Sequence, residues 1–177
     1  ACLVGSEMCI RDSAESTLYA DRRTILTPLP QTGIHKMQLA HDVWTAIGSH
    51  VSNMTPEAHD ATFAAVSHLP HLLAFAAVNA LSAQPQAATF LDMAGPGFRD
   101  FSRIAASDSA VWRDILSANK TEVLAQMAHF RTALAQFEAT LREGDDAALQ
   151  KLIEHASEVR SNWTLQAGHA CPTAPEN

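Results

Sequence analysis

The residues with the widest chemical range are three histidines, His59, His68 and His71, and the neighbouring Ser67, all within the apolar stretch 55–81. An imidazole can donate or accept a hydrogen bond, and it changes charge near neutral pH. If the stretch forms one helix with about 100° between residues, then Ser67 lies roughly 80°, His71 roughly 120° and His68 roughly 180° around from the first histidine. The polar groups are therefore predicted to spread over half of the helix circumference.

Three interpretations of these histidines compete. Each could be a core residue whose ring makes one satisfied hydrogen bond. His68-x-x-His71, with His59 and Asp60 upstream, could instead supply nitrogen and oxygen ligands to a metal. Helical bundles of that kind use Glu-x-x-His pairs, and this chain has none. The third interpretation is a pocket for an anionic substrate, in which the imidazoles donate hydrogen bonds beside arginines.

The segment GFRDFSRIA, residues 97–105, supplies the candidate arginines. Arg99 and Arg103 stand four positions apart, which predicts that they share one helical face, and Asp100 comes three residues before the second arginine. Two guanidinium forks side by side suit a carboxylate or a phosphate. The spacing alone also fits a surface ladder of ion pairs.

The elements that must position these residues change character near residue 54. Before it, a buried strand at 24–27, a helix at 33–47 closed by Gly48, and a short strand at 50–54 predict a β-α-β unit. A unit of this size cannot bury both faces of its sheet. We therefore expect the remaining strands of the sheet upstream.

The rest of the chain is predicted to be helical. Pro70 has no N–H for the carbonyl of Val66, so it predicts a kink inside the helix at 55–81. A short helix at 86–94 and a turn at Gly95-Pro96-Gly97 follow. The next helix, capped by Ser107 or Asp108, carries Trp112 and ends near Asn119, and a last helix starts after Asp145 or Asp146.

A long helix at 121–143, ended by Gly144, has apolar residues that step by four and three, as in a helix that packs along a partner helix. This seam consists of Val123, Met127, Phe130, Leu134, Phe137 and Leu141. The seam and the central helix are too apolar for one small helical layer to bury. We therefore predict a homodimer formed through the helical domain.

Composition limits the partners and the compartment. The 177 residues carry a net charge of −7 and no run of Lys or Arg, so a nucleic-acid or anionic-membrane partner lacks electrostatic support. No stretch of about 20 unbroken apolar residues predicts a membrane span. Cys2, Cys9 and Cys171 form no paired spacing, and we expect a reducing cytoplasm. Residues 1–13 are interpreted as a non-native or disordered leader, and 166–177 as a disordered tail.

Five short blocks occur in a specific order and at specific distances. They are ILTP at 25–28, HD at 59–60, SHLPH at 67–71, GFRDFSRIA at 97–105 and SDSAVWRDI at 107–115. Together they resemble bacterial prephenate dehydrogenase. The resemblance implies a mainly α fold, in which residues 55–165 form a multi-helical dimerisation domain like the C-terminal domain of 6-phosphogluconate dehydrogenase. Residues 14–54 would be the last β-α-β piece of a Rossmann-type NAD-binding domain.

The resemblance also implies a reaction. The family oxidises prephenate with NAD or NADP, releases CO₂ and forms 4-hydroxyphenylpyruvate for tyrosine biosynthesis. Its base histidine belongs to an HPMxGxE-like block upstream of the ILTP strand, and no residue of this chain matches that block. We therefore expect no catalytic residue here, a cofactor bound mainly by an upstream domain, and neither tight NAD binding nor prephenate turnover by this chain alone.

Substrate-binding roles follow from the resemblance residue by residue. Arg103 matches an arginine that holds the ring carboxylate, and His71 matches a histidine near the substrate side chain. The pocket wall and its supporting shell are matched by Ser67, His68, His59, Asp100 and Trp112, with Arg99 one turn away and nearer solvent. Whether the substrate is prephenate or arogenate is left open. A non-catalytic helical dimerisation module or a histidine-rich metal-binding module is the alternative function, and stoichiometric zinc or iron would favour it.

Overall fold

A computed structural model describes residues 17–164, which form two compact units. One unit contains residues 17–59 together with 147–164, and the other contains residues 60–146. The predicted leader at 1–13 and the predicted tail at 166–177 lie outside the described residues. The predicted boundary between residues 54 and 55 stays a prediction.

The first unit contains the predicted β-α-β motif. Strand β1 covers Arg23–Leu26, helix α1 covers Ile34–Ala46, and strand β2 covers His50–Asn53. The two strands pair in parallel, with the first residue of β1 opposite the first residue of β2. Gly48 turns the chain between α1 and β2 at a φ of 91°, and a Cβ at this position would lie 3.2 Å from the Cα of Ala20. Both the left-handed backbone and the close approach therefore require glycine.

The long apolar stretch is helical over its predicted length, but it is not one regular α-helix. Helix α2 covers Pro56–Phe63, a π-helical turn covers Ala64–His68, and helix α3 covers Leu69–Ser82. In the π turn the N–H of Leu69 donates to the carbonyl of Ala64, five residues back. The wider turn comes directly before Pro70, the residue that cannot donate to its own i−4 carbonyl.

The π turn corrects the angular positions predicted for the histidines. An extra residue in one turn changes the rotation of every later residue relative to those before it. The angles counted from His59 therefore do not apply to His68 and His71, which lie in and after the π turn. The start of the stretch is as predicted, because Thr55 Oγ1 accepts a hydrogen bond from the N–H of Ala58 at 3.1 Å.

A correction also applies to the predicted turn at Gly95-Pro96-Gly97. After helix α4, Ala87–Asp92, the chain enters helix α5, Pro96–Ser102, with Pro96 as its first residue. Proline suits this position because the first N–H of a helix has no intrahelical acceptor. A 3₁₀ turn, Arg103–Ala106, follows directly.

Three further helices complete the described chain: α6 at Ser109–Ala118, α7 at Lys120–Glu143 and α8 at Asp146–Asn162. Asp108 caps α6, since its Oδ1 accepts from two backbone N–H groups of the first turn at 2.9 Å. Gly144 ends α7 in the left-handed conformation, with φ of 67°.

The apolar seam of α7 is only partly covered within its own unit. Val123 is 4% exposed at the amino-terminal end, where α7 packs against the π turn and α3. Leu134 and Leu141 are 54% and 66% exposed toward the other end. An open groove of about 420 Å³ lies there, lined by Leu134, Phe137, Glu138, Leu141 and Arg142. Within the described residues this half of the seam is exposed, and its predicted packing against a helix of a second copy stays a prediction.

The continuous helical stretch Pro56–Ser82 is long and apolar enough to cross a membrane by length and composition alone. The core helix of a soluble protein passes the same test. The absence of a membrane partner therefore stays a prediction.

Candidate anion-binding site

Trp112 is the centre of an aromatic cluster inside the unit formed by residues 60–146. Its indole is 8% exposed, and the ring of His71 stacks on it with a centroid distance of 3.6 Å and an interplanar angle of 18°. His68 and Phe75 meet the indole edge-on at 6.2 and 6.3 Å. The capped helix α6 supplies the tryptophan, and the π turn and α3 supply the other rings.

The ring of His71 is oriented by its own helix. Its Nδ1 lies 2.9 Å from the carbonyl oxygen of Ser67, one turn earlier. A carbonyl can only accept, so Nδ1 carries the hydrogen. In the neutral ring Nε2 is therefore the acceptor, and this atom becomes a donor only when the ring is protonated. Ser67 thus contributes its backbone carbonyl to the site.

The charge of His71 is set mainly by burial, which lowers its pKa below the ordinary value. The hydrogen bond to the Ser67 carbonyl acts in the opposite direction, and the positive charge of Arg103 lowers the pKa further. Arg103 is itself exposed, and it begins the 3₁₀ turn that packs against α3. The site therefore pairs a neutral imidazole with a permanent cation at neutral pH.

His68, the second histidine of the aromatic cluster, is buried and only 6% exposed. Nδ2 of Asn119 lies 3.2 Å from its Nδ1 and 2.8 Å from the carbonyl oxygen of Asp60. The sequence interpretation treated Asn119 only as a helix terminator and missed it as part of the site. In the sequence, Asn119 is marked only by its position between two predicted helices. That position does not predict a contact with His68, which lies 51 residues earlier.

The two predicted arginines are not equivalent. Arg99 lies in α5, which ends at Ser102, whereas Arg103 opens the 3₁₀ turn. The chain continues directly from α5 into this turn, and the shared helical face of the two arginines stays a prediction. Nε of Arg99 donates to Asp100 Oδ1 at 3.0 Å, and both side chains are exposed. Arg99 and Asp100 therefore form a weak surface ion pair. In the structure Asp100 pairs with the neighbouring Arg99, one residue before it in the sequence, and not with Arg103.

His59 belongs to the other unit, on helix α2, and its predicted place in the pocket wall stays a prediction. Among residues 17–164, no group of three or more His, Cys, Asp and Glu side chains is placed to hold a metal ion. His68, His71, Trp112 and Arg103 belong to one unit and form the candidate site. It offers a flat aromatic wall, two polar imidazoles and a guanidinium, which suit a ring that carries a carboxylate.

The fold and the site together define a helical, aromatic-lined domain that follows the end of a β-α-β unit. Residues 55–155 match the family model described as "Prephenate dehydrogenase, dimerization domain", and the chain belongs to this family. The predicted mainly α fold and the family resemblance are therefore confirmed.

Individual relatives agree with this assignment. The chain is 30% identical over 170 residues to a cyclohexadienyl dehydrogenase of Zymomonas mobilis, which is 94% of this chain and 57% of that protein. It matches the crystal structure of prephenate dehydrogenase from Aquifex aeolicus with a TM-score of 0.76 and 34% identity, over 83% of this chain and 52% of that chain. A second structure from A. aeolicus, in complex with hydroxyphenyl propionate and NAD⁺, gives a TM-score of 0.72 and 37% identity over 82% of this chain and 50% of that chain. The chain thus spans about half the length of these relatives.

Proposed function

We propose that this chain is part of an NAD(P)-dependent prephenate or arogenate dehydrogenase, acting in tyrosine biosynthesis in the cytoplasm. The proposed reaction is the oxidative decarboxylation of the cyclohexadienol to a 4-hydroxyphenyl product. The observation that carries the proposal is the stack of His71 on Trp112 with the charge of Arg103 beside it, inside the segment that matches the family.

The described residues suit the substrate better than the cofactor. Residues 17–54 contain Gly33 and Gly48 but no GxGxxG turn, so they do not fit a dinucleotide pyrophosphate. We propose that an upstream domain binds NAD or NADP and supplies the base histidine. The relative from A. aeolicus whose structure contains NAD⁺ supports this proposal, since the chain covers 50% of it.

For the substrate, we propose that Arg103 holds the ring carboxylate as a bidentate pair. The ring of His71 is stacked on the buried indole of Trp112, and we propose that these rings form the apolar side of the pocket for the six-membered ring. Nε2 of neutral His71 is an acceptor, and its protonated form is a donor, so this ring can meet either the amino or the keto form of a side chain. We assign Ser67 and His68 to the wall of the site. The predicted contribution of Arg99, Asp100 and His59 to substrate binding stays part of the proposal.

Binding of hydroxyphenyl propionate to the 177-residue chain tests the substrate site directly. We expect NMR titration to shift the indole resonance of Trp112 and the ring resonances of His71, and Arg103→Gln to weaken binding about tenfold or more. Arg113→Gln is the matched control, because Arg113 lies on α6 in an exposed ion pair with Asp114. Equal binding by both variants would contradict the assignment of Arg103.

We also propose that the helical domain forms a homodimer through the open half of the α7 seam. The exposed apolar groove bounded by Leu134 and Leu141 is a surface that a second copy of this chain would cover. The description of the matching family as a dimerization domain supports a second copy as the occupant. Light scattering at micromolar concentration tests this proposal, and a monomer would contradict it.

A further inference from the structure

Asn119 is a buried polar residue at a helix N-cap, but its side chain does not cap the helix. It is the N-cap of α7, where an asparagine side chain usually accepts a hydrogen bond from the first turn of the helix. No such capping bond is present, although the Asn119 carbonyl does accept the first helical bond, from the N–H of Val123 at 3.0 Å. The amide is therefore available for a different set of partners.

Those partners fix the proton of His68. The carbonyl oxygen of Asp60 can only accept, so the Asn119 atom 2.8 Å away is a donor nitrogen. The same nitrogen has a second hydrogen and lies 3.2 Å from Nδ1 of His68. Nδ1 must then be the acceptor, and in the neutral ring the proton lies on Nε2. The two imidazoles of the site are thus opposite tautomers, since His71 carries its proton on Nδ1.

We infer that Asn119 is a positioning residue for the anion-binding site. Its amide locks His68 as the Nε2–H tautomer and ties the α6–α7 junction to the last turn of α2, at Asp60. In the neutral rings Nε2 of His68 therefore carries the hydrogen, whereas Nε2 of His71 is an acceptor. The His68 ring held in this way meets the indole of Trp112 edge-on at 6.2 Å, and the indole carries the stacked ring of His71, so Asn119 acts on the site through these rings. This inference rests on the proposed function only for its effect on ligand binding.

The tautomer is measured on the 177-residue chain at a pH where the ring is neutral. We expect ¹⁵N NMR to show His68 protonated at Nε2 and unprotonated at Nδ1, with a scalar coupling across the N–H···N bond to the Asn119 amide. Asn119→Asp replaces the donor with an acceptor and should move the proton to Nδ1. Asn119→Ala should remove the coupling in a chain that retains its helical circular dichroism. A proton on Nδ1 in the unsubstituted chain, or no coupling, would overturn the inference.

The effect on the ligand is measured with hydroxyphenyl propionate. Asn119→Asp and Asn119→Ala should each weaken binding roughly tenfold, which is the size of one lost buried hydrogen bond. Asn79→Asp, an exposed change on α3, should leave binding unchanged. Unchanged binding by both Asn119 variants would overturn the positioning role. If the unsubstituted chain itself does not bind the ligand, the proposed function fails, while the NMR measurement still decides whether Asn119 locks the tautomer.

Discussion

The two ends of α7 have the same apolar period but opposite environments. At the amino-terminal end, Asn119 and Val123 are buried against the π turn and α3, and the aromatic cluster lies beside them. At the carboxyl-terminal end, Leu134 and Leu141 are largely exposed along an open groove. We therefore propose two roles for this helix: its N-cap, Asn119, holds a ring of the candidate site, and its last turns bind a second copy of the chain.

This difference predicts where substitutions act. Changes at the enclosed end should affect folding and ligand binding, because the side chains there already have their partners. Changes at the open end should leave the fold of the chain intact and alter association. The predictions below test this separation, beginning with the largest expected effect.

Trp112→Ala should give the largest loss of stability. The buried indole carries the stack with His71 and two edge contacts, so its removal leaves a cavity and should cost about 3–5 kcal/mol of unfolding free energy. Urea denaturation followed by circular dichroism measures this value. Trp163→Ala, at an exposed tryptophan in the described chain, should change the free energy by less than about 0.5 kcal/mol. Equal losses in the two variants would contradict the central role of Trp112.

Arg103→Gln should give the largest loss of activity in an enzyme that contains this chain behind a complete NAD-binding domain. Once substrate excludes water, the lost charged pair should cost about 2–5 kcal/mol, which is a loss of roughly thirtyfold or more in kcat/KM. The loss should appear mainly in the KM for prephenate, because the carboxylate is held in the ground and transition states alike.

Two outcomes sharpen the Arg103 result. Arg99→Gln should cost only about 0.2–1 kcal/mol, since Arg99 is exposed and paired with Asp100. If both substitutions instead raise the KM for NAD⁺ and leave prephenate unaffected, then this arginine surface belongs to the cofactor.

Leu141→Glu should weaken association without unfolding the chain. A charge placed in the apolar groove should raise the dimer dissociation constant roughly thirtyfold, which corresponds to about 2 kcal/mol. Sedimentation equilibrium measures the constant, and circular dichroism checks that helix content is retained. Leu39→Glu, a similarly exposed position on α1, serves as the control. A dimer unaffected by Leu141→Glu would place the interface elsewhere.

The smallest effect should be a pH dependence of stability that comes from His71. Its pKa in the folded chain is lowered by burial first, so the unfolded chain binds a proton more readily. The contribution is fully present above the ordinary pKa of about 6.5 and is lost as pH falls through that value. We expect His71→Gln to flatten this part of the curve of unfolding free energy against pH. His129→Gln, at an exposed site on α7, should leave the curve unchanged.

Much of the architecture was determined by the sequence because it depends on interactions within a few residues. The caps by Thr55 and Asp108, the left-handed Gly144 and the β-α-β periodicity are local features, and their predicted positions hold to within about two residues. The family resemblance identified His71, Arg103 and Trp112 as a group before their contacts were known. Each of these residues lies in a different short block, and the resemblance depends on the order and spacing of those blocks.

Tertiary structure decided the features that join distant residues or change the helical period. The π turn before Pro70 changed the direction of the histidines. The partnership of Asn119 with His68 spans 51 residues, so it depends on how the helices pack. Likewise, the period of α7 is the same along its length, and only the packing of α3 and the π turn at one end determines which part of the seam is left open. The spacing of residues in the sequence determines which helix faces are apolar, whereas the packing of the helices determines which of those faces are buried.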